Sequence, residues 1–288
     1  MKKKIILYSL FCLGIIISCS KDSDDTPPTK NVDKSANLLA TGASANDILS
    51  NTNFDDLLIE IAYVTGFRPT TTSISDLENY LRQRTFKQNI DFIYKELESP
   101  NEETLVVDEI DDLEQENRTA YNDGKTLAFY IYFADAPSDG DDVDEGLVTL
   151  GAVYRNTSMV IYESTVRELA SRSNTISIAD VESATMQHEF GHLFGLVNLG
   201  TTPVNDHEDS EAENHCNITG CLMRAELQFG GPTNKSSKVT SKSGLHSACD
   251  LSGMGMMKLL QQQASRGLPV VPALDSECIL DLQSNGGK

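Results

Sequence analysis

Positive charge is scarce in this chain. Its 288 residues carry 23 Lys and Arg against 43 Asp and Glu, giving a formal charge of −20 and a pI near 4.5. Such a surface repels phosphate, which excludes a general nucleic-acid binder. Long apolar runs are missing too. Beyond the first residues nothing reaches the roughly eighteen apolar positions that a membrane helix needs, which excludes a polytopic membrane protein. No repeat of solenoid length is present, and no linker divides the body of the chain. Tryptophan is absent and aromatics make up only 7%, yet 39% hydrophobic residues over this length suffice for a sizeable core.

What is present begins with an address. Lys2, Lys3 and Lys4 precede the apolar stretch Ile5 to Ile17, followed by Ser18-Cys19. A basic patch and a short apolar stretch make a secretory signal over residues 1–18. The ending Ile16-Ile17-Ser18-Cys19 resembles a bacterial lipobox, which implies cleavage before Cys19, its acylation, and anchoring to the outer membrane; an ordinary signal peptide is the alternative. Residues 19–45 start with Ser20-Lys21-Asp22-Ser23-Asp24-Asp25 and Thr26-Pro27-Pro28-Thr29 and read as an acidic flexible tether. That stretch also resembles the surface-export signal of Bacteroidetes lipoproteins, implying a location facing outward. Cys216, Cys221, Cys249 and Cys278 remain in the body of an exported chain, where they suggest two disulfides, with a four-thiolate zinc site as the competing use.

Residues 46–288 read as one α+β domain. Strands are expected at 57–64, 90–94, 126–133, 147–154 and 158–162 from their β-branched and aromatic content. Helices are expected from Ser73 or Ser75 to about Phe86, within 102–121, over 163–172, from the N-cap Asp180 to about Phe194, and from about Ser247 to Gln263. Gly195 is the expected stop of the fourth helix. The rest of the C-terminal part reads as loops.

The chemistry is concentrated on that fourth helix, in His188-Glu189-Phe190-Gly191-His192-Leu193-Phe194-Gly195. Histidines at i and i+4 share a helix face, so both imidazoles reach one ion, and Glu189 stands beside the first without having to bind it. This is the H-E-x-x-H arrangement of zinc metalloproteases: two ligands and a general base. Zinc is the expected metal.

With its glycine, H-E-x-x-H-x-x-G resembles the start of the metzincin signature. The resemblance places a third histidine three residues beyond the glycine, where this chain has Asn198. Two later histidines are candidates, His207 and His215. The string His215-Cys216-Asn217-Ile218-Thr219-Gly220-Cys221-Leu222-Met223 is similar to the H-C-x4-C-x-M segment of archaemetzincins and, in its histidine-to-methionine step, to matrix metalloproteinases. It implies His215 as third ligand, Met223 as the Met-turn methionine, and an insertion over about residues 198–214. His207 then reads as a surface residue or an outer contact. The archaemetzincin likeness stops at the cysteines, because the second zinc site of that family needs a later C-x-x-C. The four cysteines are therefore expected as disulfides, with Cys216–Cys221 as one pairing. The chain also resembles zinc-dependent metalloproteases among exported bacterial lipoproteins.

The implied fold is zincin- or metzincin-like: a mixed, twisted sheet, an active-site helix and a loop-rich C-terminal part. By order of elements, 158–162 corresponds to the metzincin edge strand, which would hold an extended peptide. The implied activity is peptide-bond hydrolysis by a zinc endopeptidase, with Glu189 as general base. The alternatives are a non-catalytic surface lipoprotein binding glycan or protein on the same fold, and metal-dependent hydrolysis of a non-peptide amide.

Overall fold

The computed structural model describes residues 32–142, 147–224, 245 and 253–288. The signal segment, Cys19 and Cys249 lie outside the described residues, as does the expected start of the helix at Ser247. No helix among the described residues is long and apolar enough to cross a membrane.

The elements run α1 (Ala45–Leu49), β1 (Asp56–Val64), α2 (Thr71–Arg84), β2 (Asn89–Leu97), α3 (Val107–Asn117), β3 (Thr126–Phe133), β4 (Gly151–Arg155), β5 (Ser158–Ile161), α4 (Glu163–Ser171), α5 (Ile178–Leu193), β6 (Glu208–Asp209), β7 (Ala212–Cys216), α6 (Gly253–Ser265) and α7 (Ser276–Ser284). The class is α+β. Five strands form one mixed sheet in the order β2-β1-β3-β5-β4, and only β4 runs antiparallel to its neighbour. β6 and β7 make a separate small hairpin.

β3 explains why the sheet is buried on both faces. Its sequence TLAFYIYF has no polar alternation, and seven of its eight residues are buried, as suits a central parallel strand. Leu127, Phe129, Ile131 and Phe133 point into the larger core with α2, α4 and α5, while Tyr130 and Tyr132 point into the smaller one against α3. The smaller core also holds charge. Arg118 donates to Glu114 at 2.6 Å and to the Ala128 carbonyl at 2.9 Å, and Glu60 accepts from the Thr119 and Ala120 amides. Buried charges of this kind persist because each is paired or hydrogen-bonded.

Three details depart from the sequence reading. First, the compact unit begins at Asp33, so residues 33–45, read as tether, belong to it. Asn37 is buried and donates to the Ala128 carbonyl, and the Leu39 and Asn156 backbones are joined. Second, β5 is an interior strand between β3 and β4, so the sheet edge is β4, Gly151–Arg155. Third, the C-terminal loops contain α7, which Asp275 caps by accepting from the Glu277 and Cys278 amides.

Candidate metal centre

The helix α5 is held at both ends. Ser177, not Asp180, is its N-cap: the Ser177 hydroxyl accepts from the Asp180 amide at 3.2 Å, and the Asp180 carboxylate accepts from the Ser177 amide at 2.8 Å. This reciprocal pair is the capping box. At the other end Gly195 has φ +72°, which a side chain would strain, and a Cβ there would lie 2.7 Å from the Thr201 amide. A Cβ on Gly42 would fall 1.5 Å from the Leu199 carbonyl oxygen, so the N-terminal segment packs tightly on the loop beyond this turn.

Along α5, His188, Glu189 and His192 are fully buried. His215, at the end of β7, joins the two helical histidines, and the ligand nitrogens of the three lie within 4.8 Å of one another. The rings form a nearly equilateral triangle, with centroid separations of 4.8, 5.3 and 5.1 Å. His188 and His192 face each other Nε2 to Nε2 at 3.1 Å. Two imidazole nitrogens on a tetrahedral zinc stand about 3.3 Å apart, so this separation suits two ligands of one ion.

The tautomers follow from the partners. Nδ1–H of His188 donates to the Leu222 carbonyl at 2.8 Å, and Nδ1–H of His215 donates to the Glu213 carbonyl at 2.9 Å. Each bond leaves an Nε2 lone pair for a metal and holds its ring in place. Burial, with His215 nearby, pushes the His188 pKa down to about 3. Burial likewise drives His192 well below the usual histidine range and lowers His215. The imidazoles are therefore neutral at pH 7, as coordination requires. Three neutral nitrogens on a tetrahedral ion leave one position for a substrate or water, so the donor set fits zinc of the catalytic kind.

Met223 is fully buried beneath the same helix. A Cβ on Gly191 would lie 2.1 Å from its sulfur, which is why the second variable position of the motif is glycine. On the far side, the sheet edge passes Glu189: a Cβ on Gly151 of β4 would lie 3.3 Å from Glu189 Cγ. A third support is a buried acidic contact. Glu182 of α5 accepts from the Thr70 amide at 3.0 Å, and Glu163 lies near enough for burial, then the Glu182 charge, to raise its pKa to about 9 despite Arg167.

Neither alternative to His215 reaches the triad. Asn198 is exposed and donates to Glu208 at 2.6 Å. His207 is not a surface residue. It is 2% exposed, with Nε2 at 2.8 Å from Asp281 and Nδ1 at 3.4 Å from the Cys216 sulfur. The expected Cys216–Cys221 disulfide is not formed: Cys216, Cys221 and Cys278 are all free and buried, Cys216 and Cys278 group with His207 and Asp275, and Cys221 lies 3.7 Å from Cys278. Sequence reasoning missed this cluster, the Leu222 carbonyl and the Glu163–Glu182 pair. Only the cluster had a sequence signal, in its cysteines and in His207.

Comparison with known proteins adds likeness at low identity. A scan against family profiles and a search of curated proteins by sequence each found no match. Among solved structures, archaemetzincin from Methanopyrus kandleri is similar with a TM-score of 0.43 and 12% identity, over 81% of this chain and 96% of that one. Metalloproteinase-II from Bacteroides fragilis is similar with a TM-score of 0.32 and 14% identity, over 61% of this chain and 48% of that one.

Proposed function

We propose that this chain is a zinc-dependent endopeptidase of the metzincin type, exported and lipid-anchored through Cys19 to the outer membrane with its catalytic domain outward. The observation that carries the reading is the convergence of the buried His188, His192 and His215 on one point, with Glu189 in the same helix. His188, His192 and His215 would hold zinc. Bound there, zinc supplies Lewis acidity that polarises a carbonyl and brings the pKa of water to about 7.

The remaining work falls to the chain itself. Glu189 takes the proton from the attacking water and delivers it to the leaving amine. The buried, water-poor setting of α5 strengthens each charge interaction made there. β4, as the sheet edge running past Glu189, is the backbone on which an extended peptide would pair, with its scissile bond brought to the carboxylate. A purely structural metal would not need a carboxylate at that place. This favours catalysis over a non-catalytic binding role.

The test is Glu189→Gln in the purified full-length chain, assayed on a general peptide library. Hydrolysis should fall by about 100-fold or more while zinc stays bound. Unchanged hydrolysis would sink the proposed role of Glu189. The anchor is tested separately by palmitate labelling: Cys19→Ser should abolish incorporation, and persistent labelling would refute anchoring at Cys19.

A further inference from the structure

The sheet has two edges, and only β4 passes the metal centre. At the opposite edge β2, Asn89–Leu97, pairs with β1 in one parallel register of nine residues without a shift. Among the described residues no strand lies on its other side. Such an edge presents unpaired amides and carbonyls, and native sheets blunt it with proline, a bulge or repelling charge. β2 has neither proline nor bulge. Its middle is apolar and open, with Ile93 39% and Tyr94 42% exposed.

The charges on β2 decide what it pairs with. Asp91 and Lys95 stand two residues before and two residues after Ile93, on the same face of the sheet, and they differ in sign. Charges that keep other strands away would be alike, because like charges directly opposite one another are destabilising. Opposite charges at equal distances from one residue cancel when the strand meets a copy of itself running the other way. In an antiparallel pair centred on Ile93, Asp91 faces the second copy's Lys95, and Lys95 faces its Asp91. The same register sets Phe92 against the second copy's Tyr94 on the other face, an aromatic pair made twice. From this self-complementarity we infer that β2 is a homodimer interface, through which two copies of this chain join their sheets edge to edge in an antiparallel pair centred on Ile93.

The side chains concerned are already held. The Arg68 guanidinium lies over the Tyr94 ring, 4.5 Å from its centroid, and over the Tyr63 ring at 5.6 Å. Lys95 donates to the carbonyl of Asn117, the last residue of α3. That contact uses one of three ammonium donors and leaves two for a carboxylate. Groups fixed beforehand lose little freedom on association.

A second copy suits the edge better than an unrelated extended peptide does. The peptide would gain the backbone hydrogen bonds, but only a copy of β2 supplies both charges and both aromatics in register. Net charge narrows the choice further. A chain at −20 repels its own copies, so self-association needs a strip where charge cancels, and residues 91–95 hold one acid and one base. Three strands separate β2 from β4, so the pairing leaves the metal centre uncovered and does not depend on the proposed catalysis.

The experiment is sedimentation equilibrium of the full-length chain over a concentration series, in mild detergent that masks the apolar stretch Ile5 to Ile17. The native chain should form a reversible dimer. Asp91→Lys and Lys95→Asp should each raise its dissociation constant by about tenfold or more, because two like-charged pairs replace two opposite ones. The double exchange Asp91→Lys/Lys95→Asp should restore it to within about threefold of the native value. Should the variants not fold, amide hydrogen exchange on the native chain gives the second reading: β2 amides should slow as concentration rises. A native chain monomeric at every concentration, or a dimer indifferent to both single exchanges, would overturn the interface. Dimerisation lost in the single exchanges and not regained in the double would overturn the antiparallel register. Protection of β2 amides only on adding an extended peptide would assign the edge to another partner. A His188→Ala/His192→Ala variant should dimerise like the native chain whatever becomes of its hydrolysis.

Discussion

The two clusters lie a few residues apart on one segment, yet they are built in opposite ways. The histidine triad takes two of its three members from one helical turn, and their spacing is dictated by the 3.6-residue period. The thiol cluster takes its members from a loop, a hairpin end, a turn and the last helix. The first is nitrogen only, neutral and beside the sheet edge. The second is mostly sulfur, closed over by Asp281 and Asp275. The contrast teaches that a cluster built on one helix borrows rigidity from a regular element. The other is assembled from loops and helix ends that meet only in the folded chain.

Removing groups from each side of that contrast should produce unlike effects. The largest is expected at His215. His215→Ala should abolish zinc binding at the triad and reduce peptide hydrolysis to background, whereas His207→Ala should spare the triad's zinc; metal analysis paired with the library assay checks both. If His207→Ala empties the triad while His215→Ala does not, the two clusters have been assigned the wrong way round.

Next comes the contact beneath the helix. Gly191→Ala forces a methyl group onto the Met223 sulfur, and overpacking of this kind costs about 1–3 kcal/mol. Urea denaturation should show that loss, and Gly191→Ala/Met223→Ala should recover part of it. No recovery would mean that the methionine is not what excludes a side chain.

The Glu163–Glu182 contact supplies a pH test away from both clusters. Glu163 ionises near 4.5 when unfolded and near 9 when folded. Its favourable contribution is therefore complete below pH 4.5 and fades as pH rises towards 9. Glu163→Gln should flatten that decline, raising stability at pH 8.5 relative to pH 6 by up to about 3 kcal/mol. An unchanged slope of stability against pH would show that the carboxyl is ionised when folded. The smallest effect belongs to the helix start, where Ser177→Ala should cost about 1 kcal/mol, measured by the same denaturation. About three turns of α5 separate this change from the histidines, so zinc affinity should not move.

The same contrast explains what could be read in advance. β1, β3 and α5 were legible because their signals are local: continuous apolar runs for buried strands, and spaced histidines before a glycine for the helix. The start of α5 was misplaced by three residues because Asp180 serves as well at the third position of a capping box as at the cap. The hairpin of β4 and β5 was legible as two strands, but which one forms the edge depends on pairing with β3, a contact across more than twenty residues. The cysteines were misread for a related reason. Cys216 and Cys221 are close in sequence and suggested a local bridge, whereas their partners Cys278 and His207 arrive through tertiary packing. α7 did carry a signal, a capping Asp275 followed by Cys278 and Leu282 one turn apart, obscured by the glycine and loop residues around it.

The central claim is that the triad holds a zinc whose chemistry Glu189 serves. Zinc content and peptide hydrolysis measured together on the full-length Glu189→Gln variant test it most directly. The account predicts undiminished zinc at the triad and hydrolysis lowered by about 100-fold or more. Undiminished hydrolysis with zinc in place would contradict it.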